Sequence, residues 1–163
     1  MLPNWERRPT TVAHLLNPAF CGELIRRCAN FYTKSKKSKG ALPFQLSFVL
    51  MPLVLHKAIR ETLPKSTRKN FIAWVEENQS IKMEIPDLIK RTVPFTKEAI
   101  MFLLMYEVIE INSEGKLNVL QKVSKQKFEG EVGECYKKAE FLGKWLASSG
   151  NAQSIFITLG IKP

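Results

Sequence analysis

The sequence predicts a mainly α-helical fold carrying one small β-hairpin, and three observations predict it. Apolar residues recur at helical spacing in two long segments, around 18–33 and 128–146. Two short alternating runs flank NSEGK between Val108 and Leu120, the pattern of a hairpin. The 163 residues have an ordinary globular composition, 45% hydrophobic and 25% charged, enough for one hydrophobic core. The chain 1–163 is expected to form one domain, with N-terminal helices over 10–64 and C-terminal helices over 128–160.

Asn17 and Pro18 predict the start of the first long helix, because Asn caps free amides and Pro is tolerated at the first helical position. It should run from Pro18 to about Thr33, with Phe20, Leu24, Cys28 and Phe31 on its apolar face. Glu23, Arg26 and Arg27 lie off that face. TKSKKSKG, 33–40, reads as a solvated basic loop, and its Lys34, Lys36, Lys37 and Lys39 are the candidate phosphate contacts.

LPFQLSFVLMPLVLHKAIRETLP, 42–64, is the most apolar stretch. An internal proline removes a backbone bond and crowds the preceding turn, so Pro52 should divide it into helices at 43–50 and 52–63, stopped by Pro64. The apolar part is about 15 residues long, short of the roughly 20 that cross a bilayer.

From Ser66 onward the pattern changes. Ser66 can cap a helix whose face is Phe71, Ile72, Trp74 and Val75; SIKMEI, 80–85, alternates like a strand. PDLIKRTV, 86–93, fits a two-turn helix stopped by Pro94, and Thr96 can cap TKEAIMFLLMY. The hairpin follows, with Gly115 supplying the positive φ of its turn. Helix, strand, helix, helix, hairpin is the order of a winged helix, here a winged-helix-like portion over about 66–121 packed against the N- and C-terminal helices.

Beyond QKVSKQK, the residues Phe128, Val132, Cys135, Ala139, Leu142 and Leu146 form one face of an amphipathic helix. Glu129, Glu131 and Glu134 stand near its positive end, Lys144 near its negative end, and Gly150 can end it. NAQSIFITLGIKP reads as a last short helix closed by Gly160.

The charge balance, 25 basic against 15 acidic residues for a formal +10, must be solvated or met by an anionic partner, nucleic acid or an acidic protein surface. Three cysteines without CxxC spacing indicate reduced, buried thiols, and the N-terminus lacks the apolar stretch of a signal peptide, which together predict the cytoplasm. P-loop, GxGxxG and GxSxG motifs are all missing. The two histidines, His14 and His56, have no second ligand at metal spacing, so neither a metal nor another cofactor is expected. His56, Arg60 and Glu61 share one end of a helix and could supply acid, base and anion clamp, but a cap or salt bridge is the simpler role. No catalytic residue is assigned and the chain is not expected to be an enzyme.

DNA reading in the usual winged-helix mode is also poorly served. The helix before the hairpin has Lys97 as its only basic residue and an apolar run that looks built to be buried, while NSEGK carries as much negative as positive charge. Any DNA contact would be peripheral and sequence-independent, made by Arg7, Arg8, the 34–39 loop, the 65–69 segment or the 122–127 linker.

NWERRPTTVAHLLNPAF, FVLMPLVLHKAIRETLPKSTR and LGIKP, collinear and spread over nearly the whole chain, resemble the middle component of bacterial three-component ABC systems, conflict or defence operons related to Lamassu. The resemblance implies a non-catalytic adaptor that joins an SMC-like ABC ATPase to an effector subunit such as a nuclease, in defence against phage or plasmids. The short apolar stretch at 42–64, interrupted by Gln45, Ser47 and Pro52, predicts no membrane partner. Asn17, Pro18, Phe20, Pro52, His56, Arg60, Leu63 and Pro64 match these blocks and are the candidates for a partner interface or a structural motif. The alternative is a winged-helix DNA-binding protein making sequence-independent phosphate contacts.

Overall fold

The computed structural model describes residues 2–161. Met1, and Lys162 and Pro163 at the end of the LGIKP block, lie outside the described residues. A 3-10 turn, Trp5–Arg7, precedes α1 (Thr10–Leu15) and the long α2 (Pro18–Lys34). Asn17 caps α2 as expected: its Oδ1 accepts from the amides of Ala19 at 2.8 Å and Phe20 at 3.4 Å. Cys21, Leu24, Ile25, Cys28 and Tyr32 are buried on α2, with Phe20 and Phe31 at the rim of the same face.

α2 is the axis of the molecule, packed between α6 (Gln79–Met105) and α7 (Gly130–Ala147). Glycines make both contacts close. A Cβ at Gly143 of α7 would stand 2.3 Å from the Cys28 carbonyl oxygen, and one at Gly22 would stand 3.0 Å from Leu103 Cδ2 of α6.

The apolar run at 42–64 folds differently from the expectation. Leu42–Pro43 is a strand, β1, and not a helix start; helix α3 is Leu46–Leu55 and passes through Pro52. The break falls instead at His56, whose extended backbone separates α3 from α4 (Lys57–Thr62). Pro52 is tolerated because α3 is buried on nearly every side, from Leu46 to Val54, so packing holds the turn whose hydrogen bond the proline lacks. Pro43 suits β1 because that strand is at the sheet edge, where no amide donor is required.

The predicted strand at 80–85 is helical, and so are the expected breaks at Pro86 and Pro94. α6 runs without interruption for 27 residues and contains both prolines. Ile81, Ile85 and Ile89, four apart, are its buried residues there, whereas Met83, which completed the apparent alternation, is 81% exposed. Thr96 is no cap: it is buried mid-helix and its hydroxyl donates to the Thr92 carbonyl at 3.0 Å. α5 (Phe71–Glu77) is capped by Asn70, whose Oδ1 accepts from Ile72 N at 2.8 Å, while Ser66 accepts from Arg68 N in the preceding turn.

The hairpin forms as predicted, with Gly115 at φ +69 between β2 (Ile109–Ile111) and β3 (Lys116–Val119). β1 adds to it, giving an antiparallel sheet in the order β1-β3-β2, with Leu42 opposite Leu117 and Ile109 opposite Val119. The fold is thus mainly α-helical with a small three-stranded antiparallel sheet among the helices. α7 carries Cys135, Ala139, Leu142 and Leu146 inward as expected, but Val132 is 43% exposed. Gly150, at φ +98, closes the segment after α7, and Gly160, at φ +73, follows α8 (Ala152–Thr158).

Buried aromatics join the middle of the chain to its C-terminal part. Trp74 of α5 and Trp145 of α7 meet edge to face at 5.6 Å, with Phe71 between them. Their indole N–H groups donate to the Thr62 carbonyl at 3.0 Å and the Lys69 carbonyl at 2.6 Å, which pins the 62–70 loop onto the core.

Candidate interaction surface

The polar string after α3 separates into an outer and an inner part. His56 is exposed, and Lys57 and Glu61 face water 3.9 Å apart. Arg60 turns inward and is 1% exposed. Its Nη1 donates to the Val54 carbonyl at 2.7 Å and its Nη2 to Glu131 Oε1 at 2.8 Å, with Glu134 at 3.6 Å. Arg60 therefore ties the end of α3 to the first turn of α7, where the two carboxylates also favour the helix N-terminus. Burial works against its charge, but the hydrogen bond to Glu131 and the neighbouring carboxylates outweigh it and hold the guanidinium above its ordinary value. With Arg60 facing inward and His56 outward, the acid, base and clamp arrangement is not assembled.

The remaining residues of the matched blocks are placed as follows. Pro52 and Leu63 are buried, Pro18 and Pro64 half-buried, and Asn17 is occupied as the cap of α2. Phe20 packs on Tyr136 of α7, ring centroids 5.7 Å apart.

A second inward arginine was not legible as such. Arg27 lies off the apolar face of α2, as the spacing indicated, yet it is buried because the 122–128 linker covers it. Its Nε donates to Glu23 at 2.7 Å, its Nη1 to Glu140 of α7 at 2.6 Å, and its guanidinium sits 4.5 Å from the Tyr136 ring centre. Arg26 shares Glu23 and reaches the Lys122 carbonyl at 3.2 Å. The i, i+3 and i+4 spacing of Glu23, Arg26 and Arg27 signals the local pairs. Nothing local signals Glu140.

Two of the exposed surfaces bear on the candidate contacts. Phe31, Lys34, Lys36, Lys37 and Lys144 line a cleft of about 360 Å³, which brings three of the four predicted phosphate-contact lysines together with one from α7. Lys39 is exposed but does not line it. The other surface is apolar. The end of α6 buries Ala99, Ile100 and Leu103, as its composition required, but Met101, Met105 and Tyr106 are 58%, 75% and 61% exposed. The expectation that this run is wholly buried fails because α2 and α3 cover only one side of the helix. Leu120 stands beside it, 53% exposed, where Gln121 donates to the Tyr106 carbonyl at 3.0 Å.

The three cysteines are unpaired and buried. Burial pushes the Cys21 and Cys28 thiols up to about 12, so neither is a nucleophile near neutral pH. Among the described residues, no group of three His, Cys, Asp or Glu could hold a metal ion, and no helix is long and apolar enough to cross a membrane.

No curated protein and no solved structure matches the chain. A family model does: that of the ABC-three component (ABC-3C) system Middle Component 3 matches residues 5–163, nearly the whole length. It spans α2, the Arg60 and Arg27 ties, both open surfaces and the sheet alike. The chain belongs to the Middle Component 3 family of ABC-three component defence systems, a family of non-catalytic adaptor components.

Proposed function

We propose that this protein joins an SMC-like ABC ATPase to an effector subunit, such as a nuclease, in the cytoplasm of a bacterium defending itself against phage or plasmids. Residues 1–163 act as one domain in this reading. The observation that carries it, beside family membership, is the exposed apolar end of α6, with Met101, Met105, Tyr106 and the adjacent Leu120. Methionines adapt to a partner's surface at little cost, and solvated singly they serve no internal purpose.

The winged-helix-like order expected over 66–121 does not form as such, because 80–85 lies inside α6. The hairpin follows α6, and its third strand, Leu42–Pro43, comes from outside 66–121. α6 stands directly before the hairpin, the place the base-reading helix holds in winged helices. Its exposed end presents methionines and a tyrosine instead of base-reading Arg, Asn or Gln, which favours a protein partner over a stand-alone DNA-binding role.

Co-expression with the products of the two neighbouring genes tests this. The chain is expected to co-purify with both, and Met101→Glu with Met105→Glu is expected to release at least one while the circular dichroism spectrum stays unchanged. A chain that remains a free monomer in their presence refutes the adaptor role.

A further inference from the structure

The lysines of the basic surface are arranged as a track, and Arg27, which also lines it, is held by Glu23 and Glu140. Arg8, Arg26, Arg27 and Arg60 are all engaged with carboxylates. The lysines in ion pairs among the described residues are Lys57, Lys69, Lys90 and Lys116. None of these lines the cleft at Lys34, Lys36, Lys37 and Lys144.

That cleft continues into a second groove. Phe31 and Lys34 line both, and the second, of about 750 Å³, adds Lys125 and Lys127 from the linker and Lys137 from α7. Two carboxylates also line it: Glu140 is neutralised by Arg27, and Glu129 stands just before α7. Positive charge therefore dominates a continuous path from the 34–37 turn, past the C-terminal end of α2, along the linker. Phe31 sits at the junction, half-buried, with Lys144 Nζ 4.9 Å from its ring centre.

We propose that this path is a sequence-independent binding track for a nucleic-acid backbone. Two features favour phosphates over an acidic protein surface. Protein interfaces are depleted in lysine and rely on arginine forks, whereas the unpaired positive charges along this path are lysines, and Arg27, which also lines it, is held by Glu23 and Glu140. Flexible lysine point charges suit a phosphate chain, and Phe31 between the charges offers a face for a base. The track lies on residues other than the exposed end of α6, so the adaptor could hold its partner and a nucleic acid at once. The inference goes beyond the adaptor reading and does not rest on it.

Fluorescence anisotropy of the full chain with a labelled random-sequence duplex of about 30 base pairs, between about 50 and 200 mM NaCl, tests the track. Salt-sensitive binding is expected, equal for unrelated sequences. Lys36→Gln with Lys37→Gln and Lys144→Gln should weaken it at least about tenfold and reduce the salt slope by about 2.7, three phosphate contacts' worth. A control with the same charge loss elsewhere, Lys57→Gln with Lys82→Gln and Lys90→Gln, should change it less than about twofold. Absence of binding at the lowest salt overturns the proposal, and so does an equal loss in both triple variants, which would mean net charge alone. If the track variant keeps its affinity for the duplex but no longer co-purifies with an operon partner, the face recognises an acidic protein and the proposal fails. Loss of partners in the methionine variant alone bears only on the adaptor role.

Discussion

Arg60 and Arg27 show how a charged residue becomes structural. Arg60 is anchored by a backbone carbonyl inside the core and by carboxylates at the surface, Glu131 being 67% exposed by side chain. The two ends of this tie are unequal. Arg60→Ala strands the Val54 carbonyl and removes a buried aliphatic stem, so it should lower unfolding free energy by about 2–3 kcal/mol. Glu131→Gln leaves Glu134 near the guanidinium and its own amide in water, and should cost less than about 1 kcal/mol. Denaturant melts of the two variants distinguish them; equal effects would mean that the surface ion pair, not the buried anchor, stabilises the fold.

The cysteines follow the same logic in reverse. With Cys21 and Cys28 raised to about 12 by burial, and Cys135 also raised by burial, the thiolate fraction is depressed and the sulfurs are shielded. Iodoacetamide at about pH 8 should label none of the three in the native protein and all three in guanidinium. Labelling of the native chain at Cys21 or Cys28 would contradict the packing of α2.

At the scale of elements, α2 is squeezed between α6 and α7 at two glycines of different strictness. At Gly143 the obstacle is backbone, the Cys28 carbonyl and the Tyr32 amide, which cannot turn aside. Gly143→Ala should destabilise by about 3 kcal/mol or more as α7 is forced away from α2. At Gly22 the obstacle is the end of the Leu103 side chain, which can rotate, and alanine gains about 1 kcal/mol of helix propensity. Gly22→Ala should be close to neutral in thermal melts.

α6 is where local reading failed most. Serine, lysine and glutamate between Ile81, Met83 and Ile85 make a period of two, yet the same isoleucines with Ile89 make a period of four. The longer pattern wins because α2, α3 and α5 lie along one side of the helix and leave Met83 in water. Pro86 and Pro94 are half-buried and exposed respectively, so their rings bring no large clash with the core.

Across the whole molecule, one contiguous set of buried side chains links Cys21 on α2 to Leu159 after α8. Trp74 and Trp145 sit inside it, and their indoles pin a loop from a distant part of the chain. Tryptophan fluorescence and far-UV circular dichroism should therefore report a single coincident unfolding transition. Two separated transitions would divide the chain into independent units.

The sequence by itself determined the helical character, the Asn17 cap, the Gly115 hairpin, the amphipathic faces of α2 and α7 and the family, because each is written in spacings of a few residues or in collinear blocks. Tertiary structure alone decided that 80–85 is helical, that the chain bends at His56 and not at Pro52, and that β1 joins the hairpin. It also decided that Arg27 and Arg60 face inward while Met101 and Met105 face out, and that Lys144 and the linker lysines extend the basic 34–37 turn. The physical reason is common to all of these. Proline breaks, strand alternation and charge are weak local preferences of a few kcal/mol at most, and burial against residues distant in sequence overrides them.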